Sequence, residues 1–436
     1  MKSISLGLIG FGTIGTGVVK LLGDAGELLA KRLGVELRLK KIADTDLNRV
    51  RPVSVPSHLL TREPMDIVND PEIDIVIELI GGFEPARTIV LEALRRKKHV
   101  VTANKAILAE HGHELWKIAQ EEGCEVGFEA SVGGTIPIIK TIKESLVANE
   151  IDYLMAIMNG TTNYILSKMT DEGKDFSEAL KEAQKLGFAE ADPSFDIEGK
   201  DTAHKLAIVL SLAYGGSVKT SDFYCEGIEE ITLQDIEFAR ELGYRIKLIA
   251  LALRRGEKVE TRVHPTMIPS DHLLASVGSN YNAFYLIGSA SGPIFLFGQG
   301  AGMIPTASAV LGDIVDIARK MLIRGDIKPA NVDNSSLQSR VSILPFADIR
   351  TNYYFRFMAA DRAGVLSKIS GILGEHNISI ASVIQKGRKK DGAVPIVMIT
   401  HEARERDVQD ALKKIEKLDV VHERVKLIRI EDERLK

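Results

Sequence analysis

The sequence predicts an α/β protein built in three successive parts, and three observations carry that prediction. The chain opens with an apolar strand that turns at a glycine motif into a helical pattern. Apolar strand-like runs then alternate with helical stretches, the signature of parallel βαβ units. After Arg324 a polar stretch, IKPANVDNSSLQSR, separates a last segment with its own strand and helix periods in the order βαββαβ.

The first element is the strand around Ile4–Ile9, followed by Gly10, Gly12 and Gly15 in the pattern G-x-G-x-x-G, after which Val18, Val19, Leu21 and Leu22 continue at helical spacing. The first glycine permits a tight turn, the second lets a pyrophosphate approach the backbone, and the third lets helix and strand pack closely. The helix N-terminus then faces the anion. This combination predicts an N-terminal Rossmann dinucleotide-binding domain.

The second strand, VELRLKKIADTD, ends near Ala43 and Asp44, where a carboxylate bonds the ribose hydroxyl of NAD. Arg49 and Arg51 lie just downstream and suit the extra phosphate of NADP, so the sequence leaves the two cofactors open. Further strands are expected at Ile73–Gly82 and His99–Ala106, separated by a helix with Arg and Lys in its last turn. Parallel strands present ligands at their carboxyl ends, which puts Gly81, Gly82 and Thr102 to Lys105 beside the cofactor. Lys105 is therefore a candidate catalytic or binding lysine.

Two loops interrupt apolar runs between Val132 and Thr162. In FEASVGGTIPII, Glu129 with the backbone of Val132, Gly134 and Ile136 offers a carboxylate and carbonyls to a hard cation, although spacing alone favours a glycine turn before a helix with Pro137 at its first position. In MNGTTNYIL, Asn159, Thr161, Thr162 and Asn163 line a strand end and helix start, where capping is the commoner use of such residues. Asn159 and Thr161 are also candidate substrate contacts.

From Glu190 to Lys205 the chain carries five carboxylates and runs into the apolar helix LAIVLSLAY. A helix beginning near Asp201 sets Asp201 and Lys205 four apart on one face, in a stripe with Ile208, Val209 and Leu212. A lysine on a core-facing side deprotonates more easily and suits proton transfer near neutral pH, against the plainer reading of a surface ion pair. Further on, His272 to Gly312 contains no Asp, Glu, Lys or Arg, but its Gly, Ser, Asn and Pro content argues for buried strands and a glycine-rich loop rather than a membrane span. The loop around Gly298, Gly300 and Gly302 opens a long helix and suits contact with substrate or with the nicotinamide end of a cofactor.

Composition narrows the function classes. A length of 436 residues allows two or three domains, and a formal net charge of -4 argues against a nucleic-acid partner. Two cysteines, Cys124 and Cys225, make neither a disulfide scaffold nor a zinc site and fit a reducing compartment. The opening apolar run breaks at glycine within ten residues, which argues against a signal peptide and for a cytoplasmic protein without a membrane partner.

The runs GLIGFGTIG, VTANKA, FEASVGGTIPII, NGTTNYIL, LGFAEADPSFDIEGKDTAHK, RVHPTMIP and GQGAGMIPTASAVLGD, in this order, make nearly the whole chain resemble a homoserine dehydrogenase. The resemblance implies reversible reduction of L-aspartate 4-semialdehyde to L-homoserine with NADPH or NADH, on the way to threonine, methionine and isoleucine. By position it implies that Lys205 donates the proton to the carbonyl oxygen, that Asp201 binds the polar end of the substrate, and that Glu190 holds its ammonium. Lys105 falls where the family places a lysine near both cofactor and substrate, and sequence does not decide which lysine transfers the proton. Phe11, Thr13, Ile14, Gly187 and Gly302 correspond to cofactor contacts, beside Gly10, Gly12 and Gly15. Glu129, Val132, Gly134 and Ile136 match the family's sodium (Na+) site, which reverses the reading from spacing alone.

The last segment resembles an ACT domain through Asp361, Arg362, Gly364, Val365 and Leu366 at the turn into its first helix, and Asn377, Ile378 and Ser379 before its second strand. Such domains pair and bind amino acids, so the resemblance implies end-product control, with threonine as effector, through Asp361, Gly364, Val365, Asn377 and Ile378. The expected organisation is a Rossmann domain over 1–132, a mixed α/β substrate and dimerisation domain over 133–306, a helix over 307–325 returning to the cofactor domain, a linker over 326–351, and the ACT domain over 352–431. The apolar segment from His272 to Phe297 is expected to supply strands to an intersubunit sheet, making a homodimer the minimum assembly. No aspartate kinase segment is expected ahead of the first strand. Two alternatives stand beside this reading: another amino-acid dehydrogenase on the same fold, and a catalytically silent amino-acid sensor.

Overall fold

The computed structural model describes residues 3–324, 340–386 and 392–432. Most of the expected linker, 326–339, lies outside the described residues, as does residue 325 at the end of the expected returning helix. The chain forms two compact units, each assembled from three segments: Met1–Asp152, Ala203–Asp222 and Asn282–Val341 in the first, and Tyr153–Thr202, Phe223–Tyr281 and Ser342–Lys436 in the second.

The first unit holds a parallel six-stranded sheet in the order Leu60–Thr61, Glu36–Ala43, Ser3–Ile9, Ile75–Glu78, His99–Thr102, Val126–Gly127. The chain winds outward in one direction from Ser3–Ile9 and then restarts on its other side at Ile75–Glu78. A ligand crevice opens at such a reversal, beyond the carboxyl ends of the strands. Leu6, Leu8, Ile75 and Ile77 are fully buried, as expected of strands covered on both faces. One layer of that cover is the helix Met303–Arg324, whose Ala307, Val310, Ile314 and Ala318 join Leu6, Leu8, Phe11 and Val18 in one core.

That helix begins four residues before the expected Ala307. Pro305 is tolerated there because the first turn of a helix has no internal partner for its N–H groups. Two expected strands are shorter than read from sequence. The third ends at Glu78, and the fourth ends at Thr102, so that Lys105 opens the helix Lys105–Glu122 rather than closing a strand. The Asn104 side chain caps that helix by accepting from the Ile107 N–H at 3.3 Å, a local bond that outcompetes strand extension.

In the second unit seven strands follow the order Ile151–Ile157, Tyr244–Arg255, Lys258–Pro269, Lys426–Ile430, Arg350–Ala360, Ala393–Thr400, Ile380–Gln385. The long antiparallel pair Tyr244–Arg255 and Lys258–Pro269 turns at Gly256, whose φ of 62° is costly for other residues. Parallel pairing of Thr266 with Arg429 and Met267 with Ile430 then joins the terminal segment to this pair.

The terminal segment has the expected βαββαβ order, with helices Val365–Glu375 and Glu405–Ile415. An additional two-residue strand, Ala403–Arg404, pairs with Arg350 and Thr351 at the start of the strand Arg350–Ala360, and the second helix follows it from Glu405. Tyr353, Phe355 and Phe357 pack against Val365, Ile369, Leu373, Val408 and Ile415 as its core. The segment from His272 supplies the strands Tyr281–Gly288 and Gly292–Gln299. Among the described residues no helix is long and apolar enough to cross a membrane.

Candidate active site

In the first unit the glycine motif adopts the geometry its spacing requires. Gly10 has a φ of 100°, and a Cβ there would stand 2.6 Å from the Leu79 carbonyl; a Cβ on Gly15 would stand 2.1 Å from the Gly10 oxygen. Gly12 has nothing within 4 Å of its absent Cβ and caps the helix Thr13–Leu33 without a side-chain bond. Open space over uncapped N–H groups is what a pyrophosphate needs. Thr13 is exposed and Ile14 half-buried at this helix start, while Phe11 is buried. The returning helix comes so close that a Cβ on Gly17 would stand 2.6 Å from the Met303 oxygen, which brings Gly302, with a φ of 130°, alongside the motif's helix.

The Phe11 N–H donates to Asp44 Oδ2 at 2.6 Å, and Asp44 Oδ1 accepts the Asp46 N–H at 2.8 Å. Arg51 lies over the Phe11 ring, its guanidinium carbon 4.4 Å from the centroid, and donates to the carbonyls of Phe11, Arg49 and Asp46, with Nη2 3.6 Å from Asp44 Oδ1. Its donors are therefore largely engaged within the protein, whereas Arg49 is exposed. At the neighbouring strand ends the buried Glu78 accepts from the N–H groups of Ile80 and Gly81 and from Thr102 Oγ1, and Asn104 Nδ2 donates to the Gly82 carbonyl at 2.8 Å. These bonds fix the loops on either side of Lys105, which is half-buried.

Glu129 is buried, and its two oxygens accept the N–H groups of Ile139 at 2.7 Å and Lys140 at 2.9 Å. Burial pushes its carboxyl up to about 7 despite those bonds, and the Asp313 carboxylate adds to the rise. Asp313, which accepts the Glu129 N–H at 2.8 Å, is itself pushed up to about 6, mainly by burial. Val132, Gly134 and Ile136 follow in the same loop, with a φ of 58° at Gly134, where a Cβ would stand 2.5 Å from Gly300. Pro137 precedes the short helix Ile138–Lys140 as its cap rather than occupying its first position.

In the second unit the structure brings together residues that sequence spacing left apart. Asn159 caps the helix Gly160–Glu172 by accepting the Thr162 N–H at 2.8 Å, as its commoner use predicts. The same carboxamide donates to Asp201 Oδ2 at 2.8 Å and to Asp196 Oδ1 at 2.7 Å. Thr161 Oγ1 lies 2.6 Å from the Phe188 carbonyl and 3.1 Å from Asp196 Oδ2. Asp201 is 1% exposed. Asp196 was not singled out in the sequence, where it is one acid among five; nothing in its spacing marks it, and the fold does.

Glu190 stands apart from this array, exposed in the loop that follows Gly187, where its carbonyl accepts from Gln184 Nε2. Gly187 has a φ of 76° and belongs to this unit, not to the glycine-motif unit. The helix Lys200–Tyr214 begins where expected and carries both Asp201 and Lys205. Lys205 is half-buried rather than enclosed by the apolar stripe, since Ile208 and Val209 are buried but Leu212 is only partly so. One further group escaped the sequence reading: Lys247, 2% exposed, reaches Asn163.

In the terminal domain Asp361, Gly364 and Val365 line a cavity of about 500 Å³ with Arg362, Leu366, Gln385 and Ile396. Gly364 caps the first helix with a φ of 86°. Asn377 and Ile378 are not in that lining; they end the helix, with Asn377 at a φ of 57° and the Ile378 N–H donating to the Leu373 carbonyl.

A switch-point parallel sheet with a glycine-loop helix, followed by a polar array around the buried Asp201 and a terminal βαββαβ domain, defines a dinucleotide-dependent oxidoreductase. Family models match in the same order: "Homoserine dehydrogenase, NAD binding domain" over 10–129, "Homoserine dehydrogenase" over 137–315, and "ACT domain" over 353–420. The chain is 42% identical to a homoserine dehydrogenase of Neisseria gonorrhoeae and 41% identical to one of Bacillus subtilis, each time over 99% of both chains. It is similar to the crystal structure of a homoserine dehydrogenase from Thiobacillus denitrificans, with a TM-score of 0.92 and 45% identity over 100% of this chain and 99% of that one.

The chain belongs to the homoserine dehydrogenase family. It is an NAD(P)-dependent oxidoreductase acting on homoserine in amino-acid biosynthesis, with an ACT domain consistent with feedback regulation.

Proposed function

We propose that Asp201, with Asn159 and Thr161, binds the polar end of homoserine, that Glu190 holds its ammonium, and that Lys205 moves the proton at its hydroxyl oxygen. The bound dinucleotide accepts or supplies the hydride. Removing hydride from the alcohol carbon requires the hydroxyl proton to leave, and an amine within hydrogen-bond reach takes it; in the reverse direction the same group protonates the oxygen as charge develops there. Lys105 stands as the second lysine, contacting cofactor and substrate. Gly10, Phe11, Gly12, Thr13, Ile14, Gly15, Gly187 and Gly302 contact the dinucleotide.

The observation that carries this reading is the single carboxamide of Asn159, which links the acidic loop to the helix bearing Asp201 and Lys205. Its test is oxidation of L-homoserine followed by nicotinamide absorbance, for the native protein and for Lys205→Ala and Lys105→Ala. The reading expects turnover to vanish in the first variant while dinucleotide still binds. Native activity without Lys205 would transfer the role to Lys105.

The cofactor in this reading is NADP, with NAD also accepted. The exposed Arg49 is available to a 2'-phosphate, and a hyperthermophilic archaeal homoserine dehydrogenase in complex with NADPH, 27% identical with a TM-score of 0.62, supports it. Sodium at Glu129, Val132, Gly134 and Ile136 is supported by the fit of the donors: a buried carboxylate held beside Asp313 gains from a monovalent cation. The protein works as a cytoplasmic homodimer with threonine as effector at Asp361, Gly364, Val365, Asn377 and Ile378. The chain is organised into segments ending near 132, 306, 325 and 351; a family model ending at 129 and another beginning at 353 support the first and last of these, while the one over 137–315 runs past 306.

A further inference from the structure

Lys247 is a buried lysine that the reaction as described does not use. It points from the strand Tyr244–Arg255 toward the helix Gly160–Glu172, and among the described residues no carboxylate accepts its hydrogens: Nζ donates to Asn163 Oδ1 at 2.9 Å and to the Val277 carbonyl at 2.6 Å. An ordinary structural lysine would reach solvent or an acid. Here a 2% exposed ammonium is spent on one side-chain amide and one loop carbonyl.

Asn163 turns that grip into an orientation. With its oxygen held by Lys247, its amide nitrogen faces the loop and lies within hydrogen-bond distance of the carbonyls of Val277, at 3.1 Å, Gly278, at 3.4 Å, and Tyr281, at 3.1 Å. The same loop presses on the helix start, for a Cβ on Gly160 would stand 2.7 Å from the Asn280 oxygen. One turn before Asn163, Asn159 holds Asp201 and Asp196. Lys247, Asn163, Val277, Asn159 and Asp201 are each less than 10% exposed, and the other links run to part-buried carbonyls, to part-buried Asp196, or through a backbone approach that excludes a side chain, so displacement at one end is felt at the other.

We propose that Lys247 is a positioning residue for the dehydrogenase reaction, fixing through Asn163 and the Val277–Tyr281 loop the helix start from which Asn159 sets Asp201 and Asp196 for substrate. This rests on the reading that Asp201 binds substrate. Lys247 touches no substrate itself. Loss of its two bonds lets the first turn and the loop shift against each other, and misplacement by about 1 Å of a substrate-orienting group lowers kcat/KM by about 10- to 100-fold.

The test uses the full-length protein and compares Lys247→Met, Asn163→Asp, Asn159→Ala, the double variant Lys247→Met/Asn159→Ala, and Asp201→Asn. Readouts are kcat and KM for homoserine and the dissociation constant for NADPH measured by its fluorescence. Lys247→Met is expected to lose about 10- to 100-fold in kcat/KM for homoserine with NADPH binding unchanged, and the double variant to fall no further than Asn159→Ala alone. Losses that multiply in the double variant, or native kcat/KM in Lys247→Met, overturn the proposal. If Lys247→Met does not fold, Asn163→Asp replaces it: this variant retains an acceptor for the ammonium and loses the donors to the loop, and native activity in it overturns the proposal equally. Asp201→Asn separates the two claims, since native activity there refutes the substrate reading whatever Lys247 does.

Discussion

Asn159→Ala removes four bonds from one buried side chain, one of them accepted from Thr162 Oγ1 at 3.0 Å, and the worth of the other three is calculable one by one. Two are donations to carboxylates, Asp201 at 2.8 Å and Asp196 at 2.7 Å. Hydrogen bonds to charged groups contribute about 1.5–3 kcal/mol each. Together they amount to about 3–6 kcal/mol, and with 1.36 kcal/mol per tenfold the lower figure alone is about a hundredfold in kcat/KM. The third bond caps the helix through the Thr162 N–H and contributes about 1 kcal/mol to stability. Asn159→Ser divides the two effects, because a hydroxyl caps as well as an amide but does not span to two carboxylates. Steady-state homoserine oxidation and thermal unfolding, run on both variants, give the answer. Both are expected to lose at least about a hundredfold in kcat/KM and some stability, with the alanine variant the less stable of the two by about 1 kcal/mol. An alanine variant that loses stability but keeps kcat/KM within about threefold would refute the reasoning, since it would leave Asn159 a cap and nothing more.

Three further outcomes follow from particular contacts. Gly12→Val adds atoms where the protein leaves nothing within 4 Å, so the unliganded protein should unfold at its native temperature while NADPH affinity drops at least about tenfold, both accessible by thermal shift with and without cofactor. Arg262→Met withdraws a fully buried guanidinium from between Glu260 and Glu431, to which it donates. Breaking a buried pair from one side costs about 3–5 kcal/mol, so calorimetry should show a clear fall in unfolding temperature; an unchanged value would contradict it. Burial, with the Arg245 cation assisting and the Asp171 carboxylate opposing, pushes the Lys247 ammonium down to about 7. An unfolded lysine titrates near about 10.4, so between about pH 7 and 10 the unfolded chain holds a proton that the folded one has released, and stability rises with pH by up to about 1.4 kcal/mol per unit. Denaturation midpoints of the native protein should therefore climb over that range relative to Lys247→Met, and parallel curves would contradict it.

The parts legible in sequence are those where one residue type solves a local problem. Gly10 and Gly15 are required by close backbone approach, and the alternation of strands and helices follows from apolar period, so the cofactor half of the fold could be read directly. Element ends were less legible because they depend on side-chain bonds to the backbone. Asn104 stops a strand by capping a helix, and Ala403–Arg404 adds a pairing that no period announces. The extent to which Lys205 is covered was overestimated for a related reason: a stripe on a helix shows which residues share a face, not how deeply that face is covered.

Least legible were charges whose meaning lies in partners far along the chain. Asp196 is indistinguishable in sequence from Asp192, yet Asp196 accepts from Asn159 and Thr161, whereas Asp192 bonds only the neighbouring Ser194 in an exposed turn. Arg429 reads as one more strand cation. In the fold it is 2% exposed, donates to both oxygens of Glu405, reaches Glu226 at 3.2 Å, and lies over the rings of Tyr224 and Phe346. Gln409 and Tyr353 add further donors to Glu405, and against the burial that pushes it up, Arg429 above all holds that carboxyl below its ordinary range. Glu226 and Tyr224 belong to the segment before the long strand pair, and Arg429 to the ACT domain, so this array ties the ACT domain to the long strand pair of the same unit through charges that are costly to separate. A hydrophobic seam would tolerate sliding, but bonds to fixed atoms do not. The ACT strand Lys426–Ile430 and the strand Lys258–Pro269 should therefore move as one piece, and Glu405→Gln should loosen regulation before it affects the basal turnover of homoserine.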